Sequence, residues 1–137
     1  MQIPSDITYI RKASREVENL LRSNNVDDSL IFDIRLSIEE AIKNAIIHGN
    51  KKNRKLPVYI SYSLKDNKFN VEIEDKGSGF NPGEVQDPTS NENLLKEGGR
   101  GVFLIQKLMD EVKYNDRGNK VSMVKYIKKN KGGCDAN

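Results

Sequence analysis

The sequence predicts an α+β fold, a two-layer α/β sandwich in which a mostly antiparallel, mixed sheet carries its helices on one face. In the first third of the chain, apolar residues recur three or four apart, as on amphipathic helices. The pattern then changes to alternating apolar and polar residues, as in half-buried strands. One more helical stretch and a second alternating stretch follow. This order favours helices packed against antiparallel strands.

Two helices are predicted in the first 50 residues. Ser5 is expected to cap the first, which ends near residues 23–25. The second begins after the polar residues 27–29 and ends at Gly49, because glycine suits the position after a helix C-terminus. The apolar residues of both helices fall on one face each, so both are expected to cover a common core.

A β-hairpin is predicted next, followed by a long loop. Residues 58–64 and 69–73 alternate in polarity, and Asp66-Asn67 suits the tight turn between them. Residues 76–99 contain glycines, prolines and a run of polar side chains, and they are predicted to form a loop. Loops of this length in a compact domain are usually functional.

The last elements are a helix that starts at Val102 and a hairpin that pairs residues 112–114 with residues 121–127. The length of 137 residues suits one domain. We therefore expect residues 1–137 to form a single domain with a core over about residues 5–128, and residues 129–137 to be a flexible tail.

Composition and charge exclude several classes of function. No apolar run approaches the ~20 residues of a membrane helix, and no secretory leader opens the chain. A lone Cys134 cannot form an internal disulfide, so the expected location is cytoplasmic, without a membrane partner. The net charge is +3, and its basic runs, residues 48–55 and 125–131, are not interleaved with aromatic residues that would stack on bases. Direct binding of nucleic acid is therefore not expected.

Three polar segments carry the candidate chemistry. On the second predicted helix, Ser37, Glu40, Asn44 and His48 are three, four and four residues apart, which places them on one stripe. A carboxylate and an amide four residues apart could supply a general base and an oxygen ligand for a hard cation. The same stripe also fits the ordinary polar boundary of a half-buried helix, so the pattern alone leaves both interpretations open.

The second and third segments are rich in glycine. Residues 74–79 place Asp75 at the end of a strand, followed by Gly77 and Gly79, where the backbone can approach a ligand closely. Residues 98–103 run from a glycine-rich turn into a helix, where free N–H groups favour phosphate. Each segment alone also fits a plain turn, and the chain has no P-loop motif.

Together and in this order, the three segments resemble the GHKL ATP-binding superfamily, which includes histidine kinases and gyrase and has the Bergerat-type ATP-binding fold. Residues 40–44 are similar to its N box, residues 75–79 to its first glycine box and residues 99–101 to its second. Residues 38–49 and 99–105 most resemble the bacterial anti-sigma-factor serine/threonine kinases, and the likeness covers about residues 5–128.

The resemblance implies a function and a set of partners. It implies ATP and Mg²⁺ as cofactors and phosphorylation of a STAS-type anti-sigma-factor antagonist. It also implies that the protein holds a sigma factor when it is not so engaged. A homodimer formed through the N-terminal strand is implied as well, although this strand is shortened here to about residues 1–4.

The resemblance also implies a role for each matching residue. Glu40 would be the catalytic base, Asn44 the magnesium ligand, and Asp75 the acceptor for the adenine amino group. The other implied cofactor-binding residues are Gly77, Gly79, Gly99, Arg100, Gly101 and Val102, with a lid over the phosphates at residues 82–99. His48 is similar to a family position, but we assign it no catalytic role.

One departure from the family pattern concerns Asp75. Relatives often have Gly-Thr-Thr before the last strand, where a threonine helps to fix the aspartate, whereas this chain has Gly118-Asn119-Lys120. Three alternatives to a kinase stay open. They are an ATP-binding regulator that transfers no phosphate, a histidine-kinase fragment and a nucleic-acid-binding protein. The second lacks a phospho-acceptor histidine before the domain, and the third rests only on scattered basic charge.

Overall fold

Five strands form one sheet in the order β1-β2-β3-β5-β4, in a computed structural model that describes residues 1–77 and 97–127, with only the backbone of 97–100. The strands are β1 (Gln2–Pro4), β2 (Pro57–Lys65), β3 (Lys68–Glu74), β4 (Glu111–Tyr114) and β5 (Lys120–Tyr126). All four pairings of the described strands are antiparallel, in keeping with the mostly antiparallel sheet that the sequence predicted, although the expected parallel pairing of a mixed sheet is not among them. The predicted tail, residues 129–137, lies outside the described residues.

The helices are α1 (Ile10–Ser23), α2 (Asp28–Asn44) and α3 (Glu97–Leu108), and α2 packs between the other two. Alternate strand residues are buried beneath them, which confirms the predicted two-layer α+β sandwich. The core residues include Val17, Leu21, Ile34, Ile38, Ile60, Phe69, Ile73, Ile105 and Met123. On the other face, Ser61 and Glu72 are exposed, so this face of the sheet meets water.

Ser5 does not cap the first helix, contrary to the prediction. A 3₁₀ turn, Ile7–Tyr9, precedes α1, and Asp6 caps that turn by accepting a hydrogen bond from the backbone N–H of Thr8 at 2.9 Å. The buried Ser5 hydroxyl instead donates to the carbonyl of Leu56 at 2.6 Å. The side chain thus joins the chain after β1 to the chain before β2.

Gly49 is not a C-terminal cap either. The end of α2 widens into a π-helical turn, Ala45–Gly49, in which the N–H of Asn50 donates to the carbonyl of Ala45 at 2.8 Å. The left-handed conformation falls on Lys51 and Lys52, with φ of 53° and 61°. Single π-turns inside α-helices occur frequently at functional sites. The glycine at position 49 is therefore explained by a contact with another segment of the chain.

The strand connections agree with the sequence more closely. Asp66 and Asn67 have φ of 54° and 60°, the geometry of a type I′ turn, so the predicted first hairpin is confirmed. The second hairpin is confirmed as well. Helix α3 begins at Glu97, earlier than the predicted Val102. Most of the predicted loop, residues 78–96, lies outside the described residues. No described helix combines the length and the apolarity that a membrane crossing requires.

Candidate functional site

A cleft opens between the C-terminal half of α2 and the sheet, at the end of β3 and the start of β5. Apolar side chains, among them Ile73 and Val121, form part of its wall. Its polar lining includes Asn44, Asp75 and Tyr114. Burial raises the pKa of Tyr114 to about 12, so this hydroxyl stays neutral at physiological pH. A mostly apolar cleft with a few fixed polar groups is the usual form of a small-molecule site.

Asp75 lies in this cleft, where the first residue after β3 points toward α2, and it is only 5% exposed. Its Oδ1 accepts a hydrogen bond from the backbone N–H of Gly77 at 2.9 Å. A carboxylate can accept several hydrogen bonds, and an amino group of a ligand would be a suitable further donor to Asp75.

Two glycines make room for this carboxylate. A Cβ on Gly49 would overlap the carboxyl group of Asp75, and a Cβ on Gly77 would overlap the carbonyl oxygen of Gly49. The π-helical turn and the segment after β3 therefore touch backbone to backbone. The sequence singled out Gly77 for close approach but not Gly49, because the use of Gly49 depends on a contact across the cleft.

At the other end of the site, the N box and the second glycine box meet. A Cβ on Gly101 would lie 2.8 Å from Asn44 Nδ2 and 3.0 Å from Glu40 Oε1. The glycine thus lets α3 approach both side chains. The Glu40 side chain is 23% exposed and lies 3.8 Å from the ammonium group of Lys43. A partly exposed carboxylate at this position can reach a group that enters from solvent.

The side-chain oxygen of Asn44 is an unsatisfied acceptor. It is buried and has no hydrogen-bond partner among the described residues. An amide oxygen is a ligand that Mg²⁺ accepts, and this ion usually takes one or two protein ligands together with waters and phosphates. The described residues contain no cluster of three or more histidine, cysteine or acidic side chains for a dedicated metal cage. Asn44 therefore fits a magnesium ion that is shared with a nucleotide.

The sequence profile of the histidine kinase-like ATPase domain matches residues 3–125. The chain belongs to this ATPase family. It is similar to the serine-protein kinase RsbW of Staphylococcus aureus (strain MSSA476), with 32% identity over 94% of this chain and 86% of the relative. RsbW of Staphylococcus epidermidis is 31% identical with the same coverage. The resemblance drawn from residues 38–49 and 99–105 is confirmed.

Solved structures share the fold of this ATPase-family chain. The RsbU and RsbW domains of Rv1364c from Mycobacterium tuberculosis superpose with a TM-score of 0.62 at 16% identity over 93% of the chain. The histidine kinase domain of the blue-light activated kinase EL346 from Erythrobacter litoralis gives 0.54 at 18% identity over 89%. The chain spans 32% of the first structure and 64% of the second, so both support the fold alone.

Several residues of the predicted site of this histidine kinase-like domain fall outside what can be described. Gly79 and lid residues 82–96 lie beyond the described ranges. The backbone of Gly99 and Arg100 belongs to the first turns of α3, so the glycine box is part of the helix and does not form a turn before it. Val102 is buried, so only its backbone is available to a ligand.

Two asparagines of the ATPase domain lie beside Asp75 and were not assigned to the site from the sequence. The Nδ2 of Asn119 donates to the backbone carbonyl of Asp75 at 3.0 Å. Asn50 Oδ1 accepts from the backbone N–H of Lys76 at 2.8 Å. The only signal in the sequence was that Asn119 stands where relatives often have threonine. No local pattern indicated Asn50.

A first prediction concerns Asp75 and pH in the nucleotide-free ATPase domain. Burial raises the pKa of its carboxyl group, and the charge of Glu74 adds to this, while the Gly77 N–H and Arg117 oppose it. Because the folded pKa lies above the ordinary value of 3.8, the folded state favours the protonated carboxyl group. The protonated carboxyl group of Asp75 therefore stabilises the folded state fully at pH values below its unfolded-state pKa. This stabilisation is lost as the pH rises through the pKa of Asp75 in the folded state.

Asp75→Asn is therefore expected to raise the free energy of unfolding relative to wild type, by an amount that grows as pH rises above the ordinary pKa of 3.8. The asparagine Oδ1 can still accept the bond from Gly77. Urea titrations at several pH values measure the difference, and Asp116→Asn, which removes an exposed carboxylate, is the control. If the difference in the free energy of unfolding between Asp75→Asn and wild type does not grow with pH, the pKa of Asp75 is not raised in the folded state.

Proposed function

We propose that the chain is an ATP- and Mg²⁺-dependent serine/threonine kinase. It phosphorylates a STAS-type antagonist of an anti-sigma factor and, when not so engaged, sequesters a sigma factor. The similarity to the RsbW serine-protein kinases supports this activity. The observation that carries the site assignment is the Oδ1 of Asn44, which has no hydrogen-bond partner among the described residues and lies beside Glu40 and Gly101, in the same cleft as the buried Asp75.

Binding of the nucleotide would use the two ends of the cleft differently. Asp75 Oδ2 accepts the adenine amino group, and the apolar wall near Ile73 and Val121 packs against the base. Asn44 Oδ1 holds the magnesium ion. When bound, this ion neutralises charge on the phosphate oxygens. The backbone of α3 at Gly101 approaches the N box closely, which places a helix near the phosphates.

Transfer would then follow from the position of Glu40. The seryl or threonyl hydroxyl of the antagonist loses its proton to the Glu40 carboxylate as its oxygen bonds to the γ-phosphorus. The bond between the γ-phosphorus and the bridging oxygen breaks, and ADP leaves with the electron pair. Lys43, 3.8 Å from Glu40, restrains the carboxylate.

The second candidate is an ATP-binding regulator that changes its hold on a partner without transferring phosphate. It needs the same Asp75 and Asn44 but no base. The presence of Glu40 at the N box, close to Gly101 and Asn44, favours the kinase. A measured phosphotransfer separates the two candidates.

The nucleotide assignment is tested by Asp75→Asn. We expect this substitution to lower the affinity for ATP by ~1–3 kcal/mol and to change the affinity for GTP far less. The reason is that the carboxylate accepts from the adenine amino group, whereas GTP presents a carbonyl oxygen at that position. Calorimetric titration of both nucleotides with Mg²⁺ measures the change. Unchanged ATP affinity would remove Asp75 from the site.

A further inference from the structure

Two buried asparagines hold the chain where it leaves β3. Asn50 is 2% exposed and Asn119 is 6% exposed. The first follows the π-helical turn at the end of α2, and the second lies in the turn before β5. They meet the segment from opposite sides, because Asn119 binds the carbonyl and Asn50 binds the N–H of the single trans peptide group that joins Asp75 to Lys76.

Asn119 both donates a hydrogen bond to the backbone of Asp75 and accepts one from it. Its Nδ2 donates to the Asp75 carbonyl at 3.0 Å, and its own carbonyl accepts from the Asp75 N–H at 2.9 Å. Asn115 fixes the orientation of the amide. Its Nδ2 donates to Asn119 Oδ1 at 2.7 Å, and its Oδ1 accepts from the N–H of Asn119 at 3.0 Å. The nitrogen of the Asn119 amide therefore faces Asp75.

Asn50 is fixed just as completely. Its Oδ1 accepts from the N–H of Lys76 at 2.8 Å, and its Nδ2 donates to Ser5 Oγ at 2.8 Å and to the Pro57 carbonyl at 3.0 Å. A buried network in which the amide groups are satisfied holds one geometry. The segment 75–76 is thus held by the helix end on one side and by the β4–β5 turn on the other.

We propose that Asn50 and Asn119, the asparagine clasp, are positioning residues for recognition of the nucleotide base. The inference rests on the proposed function, in which Asp75 is the base acceptor. With the backbone fixed on both sides, the carboxylate keeps Oδ1 on the Gly77 N–H and stays in the lining of the cleft. Without the clasp, a charged group in this apolar surrounding would turn toward water.

Preorganisation explains why the clasp matters for selectivity. An acceptor held in place discriminates between an amino group and a carbonyl oxygen, whereas a mobile one adapts to either ligand. Asn119 supports Asp75 through the backbone carbonyl of Asp75, whereas the carboxylate accepts from the N–H of Gly77.

The test is the ratio of ATP to GTP affinity, measured calorimetrically with Mg²⁺ at a temperature where every variant is folded. Asn119→Ala and Asn50→Ala are each expected to lower this ratio about tenfold, mainly through weaker ATP binding. Asn115→Ala keeps the Asn119 amide but frees its orientation, so a smaller decrease is expected. It supplies the readout if either clasp variant fails to fold.

Two controls separate positioning from general stability. Val17→Ala removes buried methyl groups from α1, and Asn70→Ala removes an asparagine from the outward face of β3. Both should keep the wild-type ratio. If the wild type prefers ATP but the Asn50, Asn115 and Asn119 variants keep the wild-type ratio of ATP to GTP affinity, the positioning role of the clasp is overturned and the proposed function stands. If the wild type binds both nucleotides equally, Asp75 is not the base acceptor. The proposed function and the role of the clasp are then both overturned.

Discussion

Replacing Glu40 by alanine is expected to leave Mg²⁺-ATP affinity close to the wild-type value and to lower phosphotransfer to the antagonist by about 10²–10⁴-fold. Glu40 is partly exposed and is placed to receive a proton, so it contributes little to holding the nucleotide. Single-turnover transfer and calorimetric titration of the same preparation measure the two quantities separately.

Asn44→Ala is expected to behave in the opposite way. It removes the side-chain oxygen assigned to magnesium, so the affinity for ATP should fall in the presence of Mg²⁺ and change little in its absence. Glu39→Ala is a matched control for Glu40→Ala. It removes another carboxylate from the same helix, but the Glu39 carboxylate accepts a hydrogen bond from Ser14 on α1. Wild-type transfer by Glu40→Ala would show that Glu40 is not the base.

Replacing Gly49 by alanine is expected to reduce ATP affinity at least about 100-fold, or about 2.7 kcal/mol. The new methyl group would occupy the space of the Asp75 carboxyl group, so either the aspartate or the π-helical turn must move. Overpacking of this kind also lowers stability, by about 1–3 kcal/mol. Calorimetry and urea unfolding measure the two effects.

A double variant tests the cause of that loss. In an Asp75→Ala background the space beside Gly49 is empty, and alanine is favoured over glycine in a helical segment by about 1 kcal/mol. Gly49→Ala should therefore destabilise the wild type but stabilise the Asp75→Ala variant. Equal effects in both backgrounds would mean that the two side chains do not compete for one space.

The sequence predicted those parts of the fold that local periodicity controls. Helical spacing located α1 and α2, alternation located the strand pairs, and Asp66-Asn67 indicated the tight turn of the first hairpin. The predicted caps were wrong at Ser5 and Gly49, because both residues contact distant segments. Ser5 reaches Leu56, and Gly49 faces Asp75. A residue type suited to capping is equally suited to a tertiary hydrogen bond or a close approach.

The same distinction between local pattern and distant contacts applies to the residues of the candidate site. Asn44 and Asp75 stood out because helix spacing and a strand end place them, and both line the cleft. Asn50 and Asn119 could not be found in this way. Their hydrogen-bond partners lie 26 and 44 positions away along the chain. Such pairs are created by the packing of α2 and the β4–β5 turn around β3. Sequence periodicity predicts which residues are buried, but it does not predict which residues they contact.

Incubation of the wild-type protein with ATP labelled at the γ-phosphate, Mg²⁺ and a STAS-type antagonist is the most direct test of the proposed kinase. We expect the label to appear on a serine or threonine of the antagonist, to require Mg²⁺ and to be nearly absent with Glu40→Ala. If the protein binds Mg²⁺-ATP through Asp75 and Asn44 but transfers no label to any such antagonist, the kinase assignment is contradicted and the non-catalytic regulator takes its place.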